Sequence, residues 1–382
     1  MTIPYGRQDI SSKDIDEVIS VLRSDFLTQG PRVPAFEEKV AEFCGAKFGV
    51  AANSATSSLH VACLALGLKP GDLVWTSPIT FVASSNCALY CGADVDFVDI
   101  DPKTFNLCPA KLKEKLMAAA MAGRLPKIVI PVHLAGQSCD MQAIHALSLE
   151  YGFKVIEDAS HAIGASYLGK PVGDCRFSDI TVFSFHPVKI ITTAEGGLAT
   201  TNDPLLADRM RLFRSHGITR EHQKMKHASH GDWYYEQLEL GYNYRMTELQ
   251  AALGLSQMDR LVEFVQVRHE IAKTYDRELK DLDLELPYQS PDAYSSLHLY
   301  VIKTKAADHS RVFAGLRSAG ILANLHYIPV YRHPYYEALG FSRSEFPASE
   351  DYYARAISIP IYSGLKPEDQ ERVISVLRGL VS

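Results

Sequence analysis

Between about residue 30 and residue 240, short apolar runs alternate with stretches of helical periodicity, and this alternation constrains the fold more than any other feature. Gly49-Val50-Ala51, Leu73-Val74-Trp75-Thr76, Val95-Asp96-Phe97-Val98, Ile128-Val129-Ile130-Pro131-Val132, Lys154-Val155-Ile156 and Thr181-Val182-Phe183-Ser184 read as strands. The segments 34–43, 57–66, 82–90, 109–122 and 141–150 read as the helices between them. The pattern predicts an α/β domain built on a large, mainly parallel sheet with helices on both faces. In such sheets ligands bind beyond the carboxyl ends of the strands.

A further helical pattern runs from Met246 to about Leu279, where Leu249, Ala252, Leu253, Leu261, Val262 and Val265 recur at helical spacing. As one continuous helix it would span roughly 50 Å, enough to carry the chain from one domain to the next. Strand-like Leu297–Ile302, a helix over 309–319, strand-like Ala323–His326 and a helix over 368–380 then predict a smaller α+β C-terminal domain. The expected division is 1–245 for an N-terminal segment with the large domain, and 246–382 for the linking helix with the small one.

A chain of 382 residues is long enough for two such units. Its net charge of −6 argues against nucleic acid or an anionic membrane as partner. The seven cysteines form no Cys-x-x-Cys pair or paired framework, the first residues hold no apolar leader, and no apolar run reaches membrane-spanning length. A cytoplasmic protein is expected, with no metal site.

Chemistry gathers at the predicted strand ends. The strand Lys154-Val155-Ile156 runs into Glu157-Asp158-Ala159-Ser160-His161, and about thirty residues later Ser184-Phe185-His186-Pro187-Val188-Lys189 follows another strand. A lysine in one turn and a carboxylate at a neighbouring strand end suit pyridoxal phosphate. The amine can bond the cofactor's aldehyde, and the carboxylate can keep the pyridine nitrogen protonated. Asn53-Ser54-Ala55-Thr56-Ser57 opens a helix after a strand, where free N–H groups suit a phosphate dianion. Phe81 offers an aromatic face for a ring. No Gly-x-Gly-x-x-Gly follows the first strand, which disfavours a dinucleotide dehydrogenase.

These motifs, with Ile3-Pro4-Tyr5, Leu27-Thr28-Gln29-Gly30-Pro31, Gly241-Tyr242-Asn243-Tyr244-Arg245-Met246 and Ser358-Ile359-Pro360-Ile361, resemble the DegT/DnrJ/EryC1/StrS family of nucleotide-sugar aminotransferases, essentially end to end. The resemblance implies the aspartate aminotransferase-like fold (fold type I) and pyridoxal 5′-phosphate as cofactor. It implies Lys189 as the cofactor-bonding lysine, Asp158 on the pyridine nitrogen and His161 near the phenolic oxygen. By the same likeness Ala55, Thr56 and Ser184 hold the phosphate, Phe81 stacks on the ring, and Asn243 reaches the phosphate of a neighbouring subunit in a homodimer with shared sites. Tyr5, Asp25, Phe26, Leu27, Thr28, His326 and Tyr327 match positions lining the sugar-nucleotide pocket, and Arg245 is a candidate for the amino donor's carboxylate.

The segments 214–218, 251–257 and 326–331 look like the pseudaminic acid branch of that family. This implies transfer of an amino group from L-glutamate to the C4 keto group of a UDP-linked 4-keto-6-deoxy-N-acetylhexosamine. The competing readings are another keto nucleotide-sugar as acceptor, a sugar dehydratase and a non-catalytic regulator. Relatives that dehydrate sugars carry histidine in place of the lysine, so Lys189 favours amine transfer. One departure from the family pattern is Ala194, which stands where glycine is usual before Glu195-Gly196-Gly197.

Overall fold

The computed structural model describes residues 2–381. Seven strands form one sheet in the spatial order Phe48–Ala52, Gly197–Thr201, Ile180–Ser184, Lys154–Asp158, Ile128–Ile130, Leu73–Thr76 and Asp94–Phe97. From Ile180–Ser184 to Asp94–Phe97 every neighbour pairs in parallel, whereas Gly197–Thr201 is antiparallel to both its neighbours. Six strands are those expected from the apolar runs. Gly197–Thr201 is not, because Gly-Leu-Ala-Thr-Thr has no apolar run although all five residues are buried.

Burial on both faces explains why these strands read as continuous rather than alternating. Val50, Val182 and Ala199 enter the core beneath the helices Ala55–Ala65 and Ala83–Tyr90. Their neighbours Ala51, Phe183 and Leu198 enter the opposite core with Phe36 and Ala251. No helix among the described residues is long and apolar enough to cross a membrane.

The pattern from Met246 to Leu279 is not one helix. It breaks into Glu248–Met258 and Leu261–Leu279, because charged residues at the junction are held by the N-terminal segment. Asp259 pairs with Lys13 at 2.7 Å and with Lys39, while Arg260 pairs with Asp9 at 2.9 Å and Asp14 at 2.7 Å. In the second helix Leu261, Phe264 and Val265 pack into the sheet's core, and further along, Ile271, Ala272, Tyr275 and Leu279 pack into a separate C-terminal core.

That C-terminal core gathers the antiparallel pair Tyr300–Lys303 and Ala356–Ile359 with the helices His309–Ser318 and Pro367–Val381. Ile3 belongs to it as well, since Ile3–Pro4 pairs in parallel with Ile321–Leu322. The expected strand Ala323–His326 is absent: the strand ends at Leu322, and Asn324 makes only a single bridge to Ser358. Beyond that bridge His326 and Tyr327 are diverted to line a cavity.

Gly254 marks the tightest helix contact. A Cβ there would lie 2.7 Å from both Phe36 and Thr193. Gly254→Ala should gain about 1 kcal/mol of helix propensity and lose about 1–3 kcal/mol to overpacking. A net loss of stability is expected, read as a lower urea midpoint of the cofactor-free protein.

Candidate active site

A cavity of ≈ 530 Å³ opens at the carboxyl ends of the sheet and is closed on one side by residues 324–327. Tyr5, Ala55, Thr56, Phe81, Asp158, His161, Ser184, Lys189, His326 and Tyr327 all line it. They come from segments scattered over the whole chain. Asp158 and Ser184 are the last residues of two adjacent parallel strands, so the sheet sets them side by side.

Three hydrogen bonds fix the Asp158 carboxylate. Ser84 Oγ donates to Oδ2 at 2.6 Å, and Ser160 donates to Oδ1 through both its N–H (3.1 Å) and its hydroxyl (2.5 Å). Strand alternation turns Glu157 to the other face, where it takes hydrogen bonds from Ser178 and Thr181 and meets His133 Nε2 at 2.7 Å. Burial opposes the Glu157 carboxylate, yet His133, Ser178 and Thr181 together hold it below the usual carboxylate range.

Lys189 follows the strand Ile180–Ser184 in a turn closed by its own N–H to the His186 carbonyl. Burial lowers its ammonium to about 8, against an opposing pull from Asp158. His161 accepts the Ala135 N–H at Nδ1 (3.3 Å), which leaves its proton on Nε2, 3.0 Å from the Tyr327 hydroxyl. Burial, then Lys189 and His326, keep the His161 ring far below its ordinary pKa. His326 is driven down to about 3, chiefly by burial and then by Lys189, and is anchored to Ser358 Oγ at 2.9 Å. Burial pushes the Tyr327 hydroxyl up, with Tyr5 adding to the effect. Phe81, 59% exposed, stands over the opening with its ring 6.2 Å from that of Tyr327.

At the opposite end, the helix Ala55–Ala65 begins. Ser54 caps it by taking the Ser57 N–H on its hydroxyl (3.1 Å) and the Ser58 N–H on its carbonyl (3.0 Å). Among the described residues the Ala55 and Thr56 N–H groups have no acceptor within the chain. Gly197 makes room there, since a Cβ would lie 2.4 Å from the Ala55 nitrogen.

Six predicted residues are not in this wall. Asp25, Phe26, Leu27 and Thr28 form an exposed stretch after the helix Ser12–Leu22, and Asn243 is exposed while Arg245 is half-buried. The two groups are tied together: Thr28 bridges Thr247, and the Glu248 N–H donates to the Leu27 carbonyl at 3.0 Å. Conversely, Ser84, Ser160 and Glu195 belong to the site without having been singled out. The Asp-x-Ser spacing at a strand end signals an Asx turn and made Ser160 findable. Ser84, on a separate helix, carries no local signal.

The model of the DegT/DnrJ/EryC1/StrS aminotransferase family matches residues 8–378. The spore coat polysaccharide biosynthesis protein SpsC of Bacillus subtilis is 39% identical, covering 99% of this chain and 97% of that protein. The UDP-4-amino-4,6-dideoxy-N-acetyl-beta-L-altrosamine transaminase of Campylobacter jejuni is 36% identical, with 99% and 97% covered. Among solved structures, Helicobacter pylori PseC, an aminotransferase involved in the biosynthesis of pseudoaminic acid, is similar with a TM-score of 0.92. It is 32% identical, covering 100% of this chain and 99% of that one.

Enzymes of this family work with pyridoxal phosphate, and the residues present fit that group. The unpartnered N–H groups of Ala55 and Thr56 suit its phosphate, the fixed carboxylate of Asp158 suits a ring-nitrogen proton, and the lowered amine of Lys189 suits its aldehyde.

Two outcomes test this arrangement. In the folded chain Lys189 titrates near 8 instead of 10.5, so below pH 8 its buried charge costs stability. Lys189→Met should therefore raise the urea midpoint of the cofactor-free protein at pH 7, and the gain should fade between pH 8 and 10.5. Gly197→Ala presses a methyl onto the Ser54–Ala55 backbone. It should weaken pyridoxal phosphate binding at least about tenfold, measured by absorbance titration.

Proposed function

The chain belongs to the DegT/DnrJ/EryC1/StrS aminotransferase family, and from that premise we propose that it transfers an amino group from L-glutamate to the C4 keto group of a UDP-linked 4-keto-6-deoxy-N-acetylhexosamine. The observation that carries the reading is the single cavity in which Lys189 and Asp158 share a wall with Tyr5, Phe81, His326 and Tyr327. Aromatic faces with polar tips suit a sugar, whose faces are apolar and whose edges are hydroxylated. The names of the Campylobacter jejuni and Helicobacter pylori relatives support the pseudaminic acid precursor as acceptor. The higher identity to SpsC favours, as a second reading, another keto nucleotide-sugar on the same chemistry.

When bound, pyridoxal phosphate supplies an aldehyde that bonds amines and a ring that takes up the electron pair of a breaking C–H bond. In this reading Lys189 Nζ, partly deprotonated near neutral pH, moves the proton at the reacting carbon of glutamate and then at C4 of the sugar. Asp158, held by Ser84 and Ser160, keeps the ring nitrogen protonated. His161 presents Nε2–H to the phenolic oxygen, and Ala55, Thr56 and Ser184 hold the phosphate. Tyr5, His326 and Tyr327 orient the sugar, and ping-pong kinetics follow from one site serving both amines.

The assembly is a homodimer with shared sites in the cytoplasm; within each chain 1–245 and 246–382 are the two units, except that Ile3 packs with the second and Ala251, Leu261, Phe264 and Val265 pack with the first. The exposed Asn243, Phe26 and Leu27, all outside the chain's own cavity, support the shared sites. In this reading they complete the site of the second subunit, and Arg245 takes the donor's carboxylate.

With glutamate and a panel of 4-keto nucleotide-sugars, the purified enzyme should give 2-oxoglutarate and a 4-amino sugar, and Lys189→Ala should lower the rate at least about 10³-fold. An amine-free outcome across the panel would reject the acceptor class. Mixed dimers of Lys189→Ala and Asn243→Ala subunits should regain activity above either variant alone, because one of the two shared sites is then intact. Activity no higher than the average of the two would reject sharing.

A further inference from the structure

Behind His161, on the side away from the cavity, lies a second histidine that the reaction as derived does not use. The rings of His161 and His298 lie 4.4 Å apart at 46°, and His298 is only 4% exposed. Its Nδ1 is buried with no hydrogen-bond partner, a state that costs about 1–3 kcal/mol. Phenylalanine would fill the same space without that cost.

The backbone that carries His298 is held on both sides. Arg268, 1% exposed and without a carboxylate partner among the described residues, spends Nη1 on three carbonyls: Leu297 (3.2 Å), His298 (3.4 Å) and Ile361 (2.8 Å). On the His161 side, Ser296 Oγ donates to the His161 carbonyl at 2.7 Å, and the Ser296 N–H donates to Gly136 O at 3.1 Å. A Cβ on Gly136 would meet Ser296 Oγ at 2.5 Å and the His161 carbonyl at 3.0 Å, so three segments close on one point. Leu297 is held at φ 50°, in the left-handed region that a leucine avoids. Such strain persists only where the surroundings enforce it.

We propose that His298 is a positioning residue: packed against His161 and pinned from behind by Arg268, it holds the ring where Nδ1 accepts the Ala135 N–H, and so keeps the tautomer whose Nε2–H points into the cavity. The groups facing this pair are Lys189, His326 and Tyr327 on the cavity side and Arg268 behind. None is a carboxylate, so nothing in the packing favours a charged imidazole. Burial first, then His161, Lys189 and Arg268, hold His298 itself far below its ordinary pKa. His161 thereby acts as a fixed donor and not as a proton shuttle. The proposal deepens the aminotransferase reading and rests on it only for the rate measurements.

The test reads His161 directly, by nitrogen-15 NMR of the full chain labelled at histidine and free of cofactor. In the wild type His161 should show the Nε2–H tautomer and no titration from pH 6 to 8. His298→Phe, which keeps a ring packed against His161, should leave that signal unchanged. His298→Ala admits water beside the ring and should give mixed tautomers and a visible titration. In the holoenzyme its kcat should fall about tenfold at pH 6 relative to pH 8, with the KM for glutamate nearly constant. Should His298→Ala not fold, Arg268→Lys keeps the charge but loses the planar fork, and the His161 signal should move in the same direction. An unchanged His161 signal in a folded His298→Ala, or in Arg268→Lys when the alanine variant does not fold, overturns the proposal. So does a His298→Phe protein that titrates like the alanine variant. These readouts stand whether or not any sugar is aminated.

Discussion

A lysine placed opposite a carboxylate would ordinarily stay an ammonium, and everything at this site depends on that not happening. Burial draws Lys189 down to about 8 while Asp158 pulls it back. Both Asp158 oxygens are already engaged, one by Ser84 and one by Ser160. The carboxylate is therefore aimed and satisfied before any ligand enters, and no hydrogen bond or ion pair joins it to the lysine among the described contacts. The same pair of facts gives a base that is available near neutral pH beside an acceptor that stays in place.

Holding that geometry requires a rigid floor, and the two-sided sheet supplies it. Asp158 and Ser184 end adjacent parallel strands whose side chains are buried on both faces, so neither end can shift without disturbing a packed core. The antiparallel strand Gly197–Thr201 then brings Gly197 against the start of the helix Ala55–Ala65. Its missing side chain is what lets the helix N-terminus meet the end of the Ile180–Ser184 strand. Ala194, just before it, takes φ 66° where glycine would be at ease. The departure from the family pattern thus falls on a residue in the left-handed region, outside the cavity wall.

Much of this was legible in the chain because the strands that matter are apolar on both faces and stand out as runs. Asp158, Lys189 and the helix start at 53–57 could be placed from their positions after such runs, whereas Ala55 and Thr56 in particular came from the family resemblance. The legible part ended where placement depends on partners distant in sequence. Gly197–Thr201 is made of small and hydroxyl residues that become a strand only between two others. The helical pattern from Met246 to Leu279 continues unbroken through Asp259 and Arg260, and only Lys13, Lys39, Asp9 and Asp14, over two hundred residues away, reveal a break. Ser84 and His298 look like ordinary helix and strand residues until tertiary contacts put them against Asp158 and His161.

The two halves of the site are built from different parts of the molecule, and that separates what can vary from what cannot. Lys189, Asp158 and the phosphate end rest on the sheet. The aromatic rim rests on the C-terminal core: Ile3–Pro4 pairs with Ile321–Leu322, which sets Tyr5 4.7 Å from the His326 ring, and the Tyr5 carbonyl takes the Ile361 N–H at 3.0 Å. Tyr352 in turn donates to the His326 carbonyl at 2.6 Å, and Ser358 anchors its ring. In the proposed reading, substitutions along this rim change the surface offered to a sugar and leave Lys189 and Asp158 in place. Such a division lets one amine-transfer chemistry serve acceptors of different shape. Arg268 and His298 sit where the two parts meet, so the segment that carries the rim also bears on His161.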